Sequence, residues 1–172
     1  MNLQTTDPQD ELFDVVDAND VVIGQAVRGE VHARKLLHRA VSIFVFNTRG
    51  ELLLQLRSST KDEFPDCYTS SASGHLDSGE DYETAAVREL EEELQLDSPL
   101  TFRIKLPASP ETANEHTALY ETTTDETPHF HPTETAGGEF DSLESIQRRI
   151  AESPESFTPP FRALIEWYLD QR

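Results

Sequence analysis

The chain has 172 residues, which is enough for one domain with a hydrophobic core of its own. Its 33 acidic residues outnumber the 14 basic ones and give a formal net charge of −19. This charge repels the phosphate backbone of DNA and RNA, which argues against a nucleic-acid partner, whereas it attracts divalent cations. Cys67 is the only cysteine, which excludes an intrachain disulfide and a thiolate zinc cluster.

The first residues, MNLQTTDPQDELFDVVD, lack the basic region and the apolar stretch of a signal peptide. No apolar run approaches the length of a membrane span. We therefore expect a soluble, cytoplasmic protein without a membrane partner. Residues 1–172 are expected to form a single domain, in which residues 1–8 are a loose tail.

The first half of the chain is rich in strand patterns. Apolar residues alternate on both sides of an Ala-Asn-Asp turn in ELFDVVDANDVVIGQAV, which predicts a β-hairpin, and RGEVHARKLL predicts a short helix. A second hairpin is predicted for HRAVSIFVFNTRGELLLQLRS, with its turn at residues 47–50. The polar segment STKDEFPD predicts a loop, and a short strand is expected from Tyr68 to Ala72.

The second half begins with an acidic helix and ends with two more helices. The segments LTFRIKL and NEHTALYETT predict strands, and the polar residues 121–139 predict a long loop with two Pro and two Gly. SLESIQRRIAES predicts a helix, and PPFRALIEWYLDQR predicts an amphipathic closing helix. Its apolar stripe consists of Phe161, Leu164, Ile165, Tyr168 and Leu169. Helices and strands in this order indicate a mixed α+β class.

The acidic helix lies in GHLDSGEDYETAAVRELEEELQL, residues 74–96. Glu89, Glu92 and Glu93 are spaced i, i+3 and i+4 and therefore share one face, whereas Leu90 and Leu94 belong to another face. Like charges at this spacing repel each other by a few tenths of a kcal/mol per pair. A hard divalent cation bound by the three carboxylates would offset that repulsion. The alternative is a solvated charged face.

The spacing around this helix resembles the Nudix box, G-x5-E-x7-R-E-U-x-E-E-x-G-U, in which U is aliphatic. The matching residues are Gly74, Glu80, Arg88, Glu89, Leu90, Glu92, Glu93 and Leu96. Gln95 departs from the pattern, because the second glycine is expected there, where a left-handed residue would end the helix. The resemblance implies the α/β (α+β) class, specifically a Nudix-like α/β/α sandwich with a mixed β-sheet, in which the box is a loop, a helix and a loop.

The Nudix resemblance also implies a set of roles. It implies a Mg²⁺ or Mn²⁺ site formed by Gly74, Glu89, Glu92 and Glu93. Glu89 or Glu93 would polarise the attacking water, and Glu80 and Arg88 would brace the loop as an ion pair. The implied reaction is metal-dependent hydrolysis of a diphosphate linkage in a small molecule such as a nucleoside diphosphate derivative.

Segments outside the box resemble type-I isopentenyl-diphosphate isomerases, which implies an alternative reaction. These segments are LLHRAVSIFVFNTRGELLLQLRS, FPDCYTSSASGH and NEHTALYE. Glu115 matches the essential glutamate of the isomerases, but Ser73 occupies the position of their cysteine and Ile104 that of their tyrosine. Because a serine is a weak acid, hydrolysis is the preferred interpretation, with Glu115 as a further candidate catalytic residue. A catalytically silent binding module is the third alternative.

His32, His38 and His75 match metal-binding histidines of the isomerases, and with Glu115 they imply a second site for Zn²⁺ or Mn²⁺. Ala113 replaces a further acidic ligand of the isomerases. The alternative is that these histidines line the substrate cleft or lie on the surface. His116, His129 and His131 are predicted on the surface.

The basic residues expected to face a phosphate are Arg34, Lys35, Arg39, Arg57 and Lys61. Residues 107–116 and 122–139 are candidate segments for recognising the rest of the substrate. A homodimer is compatible with the sequence, which does not specify an oligomeric state.

Overall fold

The computed structural model describes residues 5–172, and residues 1–4, the beginning of the predicted tail, lie outside the described residues. The described part contains nine β-strands and four α-helices. The strands are β1 (Leu12–Val16), β2 (Val22–Val27), β3 (His38–Phe46), β4 (Leu52–Arg57), β5 (Tyr68–Thr69), β6 (Ala72–His75), β7 (Thr101–Leu106), β8 (Glu115–Thr123) and β9 (Thr135–Asp141). The helices are α1 (Arg28–Ala33), α2 (Tyr82–Leu94), α3 (Leu143–Glu152) and α4 (Pro159–Asp170).

The first hairpin, β1 and β2, is a separate two-stranded antiparallel sheet. Alternation along its strands places Phe13 and Ala26 on one face, where they pack with Val31 of α1 in a small core of their own. The predicted hairpin and the predicted short helix are both present. Of these elements, α1 contributes Arg28 to the lining of the cleft described below.

The main sheet is mixed and has β3 in a central position, parallel to β8 and antiparallel to β6. The predicted hairpin of β3 and β4 pairs at Phe46 and Leu52, next to its turn, and the two strands then diverge. Residues 68–75 fill the gap as two short strands, with β5 paired to β4 and β6 paired to β3. The single strand predicted from Tyr68 to Ala72 is therefore wrong in extent, and Gly74, predicted in a loop, lies in β6.

Helices cover both faces of the main sheet. On one face, Leu90 and Leu94 of α2 pack with Val41 and Ile43 of β3. On the other face, α3 and α4 pack against Phe44 and its neighbours, with Ile146, Phe161, Leu164 and Ile165 fully or almost fully buried. The predicted α/β/α sandwich with a mixed sheet is confirmed.

The end of the predicted long loop is a strand. β9 pairs antiparallel with β4 in the register Leu53–Phe140 and Leu54–Glu139. A Cβ atom at Gly138 would overlap the carbonyl oxygen of Leu54 and the ring of Phe130. Glycine here permits a close approach between strand backbones, whereas in the sequence the Gly-Gly pair indicates a loop.

The predicted loose tail is anchored from residue 5 onwards. The hydroxyl of Thr5 donates to the carbonyl of Thr60 at 2.9 Å. The buried carboxylate of Asp7 accepts hydrogen bonds from Lys61 Nζ at 2.5 Å and from the Asp62 N–H at 2.9 Å. The prediction is therefore wrong for residues 5–8, because these bonds attach the segment to the loop of residues 58–66.

A helix that crosses a bilayer needs about 20 predominantly apolar residues. Within residues 5–172, no helix is both long enough and apolar enough to do so.

Candidate active site

A cleft of about 270 Å³ opens where β3 and β4 diverge. Helix α2 contributes Glu89, Glu92 and Glu93 to one wall, and Gly74 and His75 of β6 lie beside them. Residues 7–11 and the loop 58–66 form another part of the lining. The three predicted carboxylates therefore share one cleft.

Helix α2 has clear signals at both ends. The carboxylate of Asp81 caps its first turn by accepting a hydrogen bond from the Thr84 N–H at 2.8 Å. Gln95 ends the helix in the left-handed conformation, with φ 53° and ψ 39°, and its N–H donates to the Glu91 carbonyl. The conformation expected at this position of the box is present although the residue is not glycine.

Glu93 is the most firmly held of the three carboxylates. Its Oε1 accepts the Ser73 N–H at 3.1 Å, and its Oε2 accepts a hydrogen bond from Nε2 of the buried Gln55. Gln55 also donates to the Ser71 carbonyl at 3.2 Å, which fixes its amide. Gln55 was not predicted from the sequence, although a lone polar residue within the apolar run LLLQLR was a usable signal.

The two buried carboxylates, Glu89 and Glu93, disfavour each other's charge. Burial raises the pKa of Glu93 to about 6, against the lowering effect of the hydrogen bonds from Gln55 and Ser73. Burial, followed by the charge of Glu93, holds the pKa of Glu89 well above its usual range. Glu92 is more exposed and accepts a hydrogen bond from Arg88 at 3.2 Å. A hard cation with oxygen ligands fits this arrangement, because it would stabilise both buried charges.

Arg88 connects the helix to the preceding loop. Its guanidinium donates to the two carboxylate oxygens of Glu80 at 2.8 and 2.9 Å and to the His75 carbonyl at 3.1 Å. It also pairs with Glu89 at 2.7 Å. The predicted ion pair between Glu80 and Arg88 is present, and its hydrogen bonds hold the pKa of Glu80 below its usual range.

A second cluster lies beside Gly74 and contains the predicted histidines. One ring nitrogen from each of His32, His38 and His75 lies within 4.8 Å of the others. Glu115 Oε1 is 2.9 Å from His75 Nε2 and 3.8 Å from His38 Nε2. The three histidines are therefore within reach of one shared ion, and Glu115 lies next to two of them.

The protonation of this cluster suits metal ligation. Burial, followed by the neighbouring His75, lowers the pKa of His38 to about 4, and burial also holds the pKa of His75 well below its usual range. Both imidazoles are neutral near pH 7 and offer a lone pair. Nε2 of His38 is buried without a hydrogen bond among the described residues. The two ring nitrogens of His32 are also buried, with carboxylate oxygens of Asp62 and Glu63 at 3.4 Å.

The structure adds a carboxylate that the sequence analysis missed. Glu63, from the loop 58–66, lies 3.4 Å from His32 Nε2, and its carboxylate is within 4.8 Å of the ligand atoms of His75 and Glu115. Sequence spacing gives no signal for this residue, because it reaches the cluster only through the folding of its loop. Glu63 supplies the cluster with a further carboxylate, whereas Ala113, at the position of an acidic ligand in the isomerases, has none.

The basic residues divide into two groups. Arg57 and Lys61 line the cleft as predicted, and so does Arg28, which the sequence analysis missed. The predictions for Arg34, Lys35 and Arg39 are wrong, because none of the three lines the cleft. Arg34 pairs with Glu30 and Arg39 with Asp20, outside the cleft.

Two of the histidines predicted on the surface are elsewhere. His116 is buried, and its ring nitrogens make hydrogen bonds with the Asp17 carbonyl at 2.9 Å and the Ala108 N–H at 3.2 Å. His131 lines the cleft, where its N–H donates to the Glu93 carbonyl at 3.0 Å. The residues 122–139 thus contribute to the cleft, as predicted for substrate recognition, through His131 and Glu134.

The chain is similar to known proteins over most of its length. The family model of the NUDIX domain matches residues 36–167. A Nudix hydrolase of Deinococcus radiodurans is 37% identical over 83% of this chain and 85% of that protein. An isopentenyl-diphosphate Delta-isomerase of Pectobacterium atrosepticum is 33% identical over 86% of each chain.

Other similarities are local or structural. An uncharacterized Nudix hydrolase of Nostoc sp. is 49% identical over 51% of this chain, and the match spans only about half, 52%, of that relative's length. A crystal structure of a protein from Deinococcus radiodurans superposes with a TM-score of 0.80 at 31% identity, covering 91% of this chain and 98% of that one.

Proposed function

Because this chain belongs to the Nudix hydrolase family, we propose that it hydrolyses a diphosphate linkage in a small molecule with the help of Mg²⁺ or Mn²⁺. The observation that carries the proposal is the buried pair Glu89 and Glu93, which faces the cleft beside Gly74. Arg88 pairs with Glu89, whereas Glu93 makes no ion pair among the described residues. Two adjacent buried carboxylates destabilise the fold unless a bound cation or a hydrogen-bond donor compensates their negative charge.

Four groups would hold the metal, namely the carboxylates of Glu89, Glu92 and Glu93 and the carbonyl of Gly74. When bound, a divalent cation neutralises the diphosphate and lowers the pKa of water. Glu93, fixed by Ser73 and Gln55, or Glu89 accepts the proton of the attacking water. The water oxygen bonds to phosphorus as the bridging P–O bond breaks, which leaves two phosphate-bearing products.

The substrate's phosphates have a second set of partners. Lys61 and Arg57 line the same cleft as Glu93, and Lys61 is already bonded to Asp7 and Glu134 at 2.5 and 2.6 Å. These pairs keep the ammonium ion in place while leaving a proton for a phosphate oxygen. We expect a nucleoside diphosphate derivative or a similar small molecule as the substrate.

We further propose that the histidine cluster holds Zn²⁺ or Mn²⁺, with His32, His38, His75 and Glu115 as ligands and Glu63 as the additional acidic group. The buried Nε2 of His38, which makes no hydrogen bond among the described residues, supports this site. Titration of the protein with Zn²⁺ in a calorimeter would test it, because His38→Ala should weaken binding at this site and leave binding at the α2 carboxylates unchanged. Equal affinity in both proteins would refute the site.

Isomerisation of isopentenyl diphosphate is the second candidate, favoured by the placement of Glu115 among the histidines in the cleft. Ser73 lines the cleft in place of a cysteine acid, and Ile104 packs against the other face of the sheet, in the core with Phe44. Allylic isomerisation needs an acid and a base on opposite faces of the alkene, and Glu115 alone does not supply both.

One screen separates the three alternatives. Nucleoside diphosphate derivatives, dinucleoside polyphosphates and prenyl diphosphates would be incubated with the protein and Mg²⁺ or Mn²⁺, and phosphate-containing products would be measured. Release of such products supports hydrolysis, whereas deuterium incorporation into isopentenyl diphosphate in D₂O, lost in Glu115→Gln, would establish the isomerase instead. Binding without turnover of any compound would identify a silent module.

A further inference from the structure

The loop 58–66 carries an aromatic residue in a strained backbone conformation. Phe64 has φ 48°, in the left-handed region, and it is followed by Pro65. A bulky residue with positive φ is a steric outlier, and the residue before a proline is normally restricted to extended conformations. Strain of this kind persists only where the surrounding structure enforces it, and it is concentrated at ligand sites.

The enforcing contacts can be identified. The guanidinium of Arg57 donates two hydrogen bonds to the Glu63 carbonyl, at 2.8 and 3.1 Å, directly before Phe64. Asp62 is bonded to Arg28 at 2.9 Å, and Lys61 to Asp7 at 2.5 Å. These hydrogen bonds fix the loop on the N-terminal side of Phe64. The backbone of Phe64 therefore cannot relax to a negative φ without breaking them.

The strain does not serve the hydrophobic core. Phe64 belongs to none of the three hydrophobic clusters found in residues 5–172 and makes no aromatic pair there. Instead it is a half-buried residue that lines the cleft, and it is the one Phe, Tyr or Trp among the described lining residues. The ring is thus available to a ligand.

We propose that Phe64 is the stacking platform for the nucleobase of the substrate, and that its strained backbone is retained to present the ring to the cleft. This inference rests on the proposed function and names the organic part of its substrate. The neighbouring lining groups Arg57, Lys61 and Glu63 are charged. A planar base with polar edges can stack on the ring and bond to such groups, whereas a prenyl chain offers them no hydrogen-bonding group and would desolvate them.

The test measures KM and kcat with Mg²⁺ for ADP-ribose, GDP-mannose and UDP-glucose, and dissociation constants of the same compounds in a Glu93→Gln background. Isopentenyl diphosphate, which has no ring, is the reference ligand. Phe64→Ala should raise KM and Kd of the preferred nucleotide about 5- to 150-fold, with kcat little changed. Its effect on isopentenyl diphosphate should be negligible, and Phe64→Tyr should retain nucleotide affinity.

Thermal unfolding supplies an independent readout. Phe64→Gly should raise Tm by about 2–4 °C, because glycine relieves the strain, while it loses as much nucleotide affinity as Phe64→Ala. Asp66 is the matched control, since it has φ 61° in the same loop but is exposed outside the cleft. Asp66→Gly should also raise Tm and leave nucleotide affinity unchanged.

The inference fails if no nucleotide binds the wild-type protein, if Phe64→Ala weakens both ligand classes equally, or if Phe64→Gly lowers Tm. Hydrolysis of some other diphosphate in those cases would preserve the proposed function. Conversely, nucleotide binding that depends on Phe64 but leads to no turnover would preserve the stacking platform and refute hydrolysis.

Discussion

The carboxylate of Glu89, on helix α2, lies against the backbone of Gly74, on strand β6, so closely that a Cβ atom at Gly74 would overlap it. Glycine at the first position of the box is thus explained by the approach of a buried acid rather than by a turn. Gly74 is extended in β6 and pairs with Val41 of β3. The strand and the helix must be this close if a carbonyl and a carboxylate are to share one cation.

We expect Gly74→Ala to lower activity by about 100-fold, because the methyl group displaces Glu89 from its position. Overpacking should also reduce the free energy of unfolding by about 1–3 kcal/mol. Gly24→Ala is the control, because a Cβ atom there has no neighbour within 4 Å. Diphosphate hydrolysis and chemical denaturation would measure both effects, and equal behaviour of the two variants would contradict the proposed geometry.

Glu93→Gln should lower kcat by about two to four orders of magnitude, because it removes a charge and a candidate base at nearly constant volume. The fold should persist, since an amide oxygen can still accept the Ser73 N–H. Glu91→Gln, an exposed change on the same helix, should retain full activity. Steady-state kinetics would measure kcat, and circular dichroism would show whether the fold persists. Unchanged turnover in Glu93→Gln would refute the assigned role.

Gln95→Gly should stabilise the protein by about 1 kcal/mol and raise Tm by about 2–4 °C, because a non-glycine residue with φ 53° is strained. The exposed Gln95 side chain makes no hydrogen bond within residues 5–172 that would be lost. Glu91→Gly, within the same helix, should have the opposite effect and lower the free energy of unfolding by about 1 kcal/mol. Differential scanning calorimetry would compare them.

The ion pair of Glu80 and Arg88 predicts a pH dependence of stability. The hydrogen bond from Arg88 lowers the pKa of Glu80 in the folded state, so its stabilisation is complete above the unfolded pKa of about 4.3 and is lost as the pH falls through the lower folded pKa. The Tm difference between wild type and Glu80→Gln should therefore be largest above pH 5 and should shrink towards pH 3.

Glu126→Gln is the control for this pH dependence, because Glu126 is exposed in a loop and its carboxylate makes no ion pair within the described part of the chain. Its Tm should follow that of the wild type at every pH. A Tm difference for Glu80→Gln that stayed constant from pH 3 to pH 7 would mean that the ion pair does not contribute to stability.

The sequence by itself determined the family, the enzyme class and the shared face of the three carboxylates on helix α2. The spacing of Glu89, Glu92 and Glu93 places them on one face because helix periodicity is a local property, and the fixed residues from Gly74 onwards identify the box. The predicted family, fold class and enzyme class are confirmed. Residues 5–8 and the strand β9 were predicted wrongly, because their structure depends on distant partners.

Only the tertiary structure decided which other residues contact these carboxylates or line the same cleft. Gln55, Glu63, Phe64 and His131 come from three separate segments, and the cleft exists because β3 and β4 diverge after a single paired position near their turn. The strain at Phe64 likewise appears only once Arg57 holds the preceding carbonyl. Local sequence patterns indicate the period of a helix or a strand. Contacts between distant segments depend on how the whole chain minimises its free energy, and the residue spacing within one segment does not encode them.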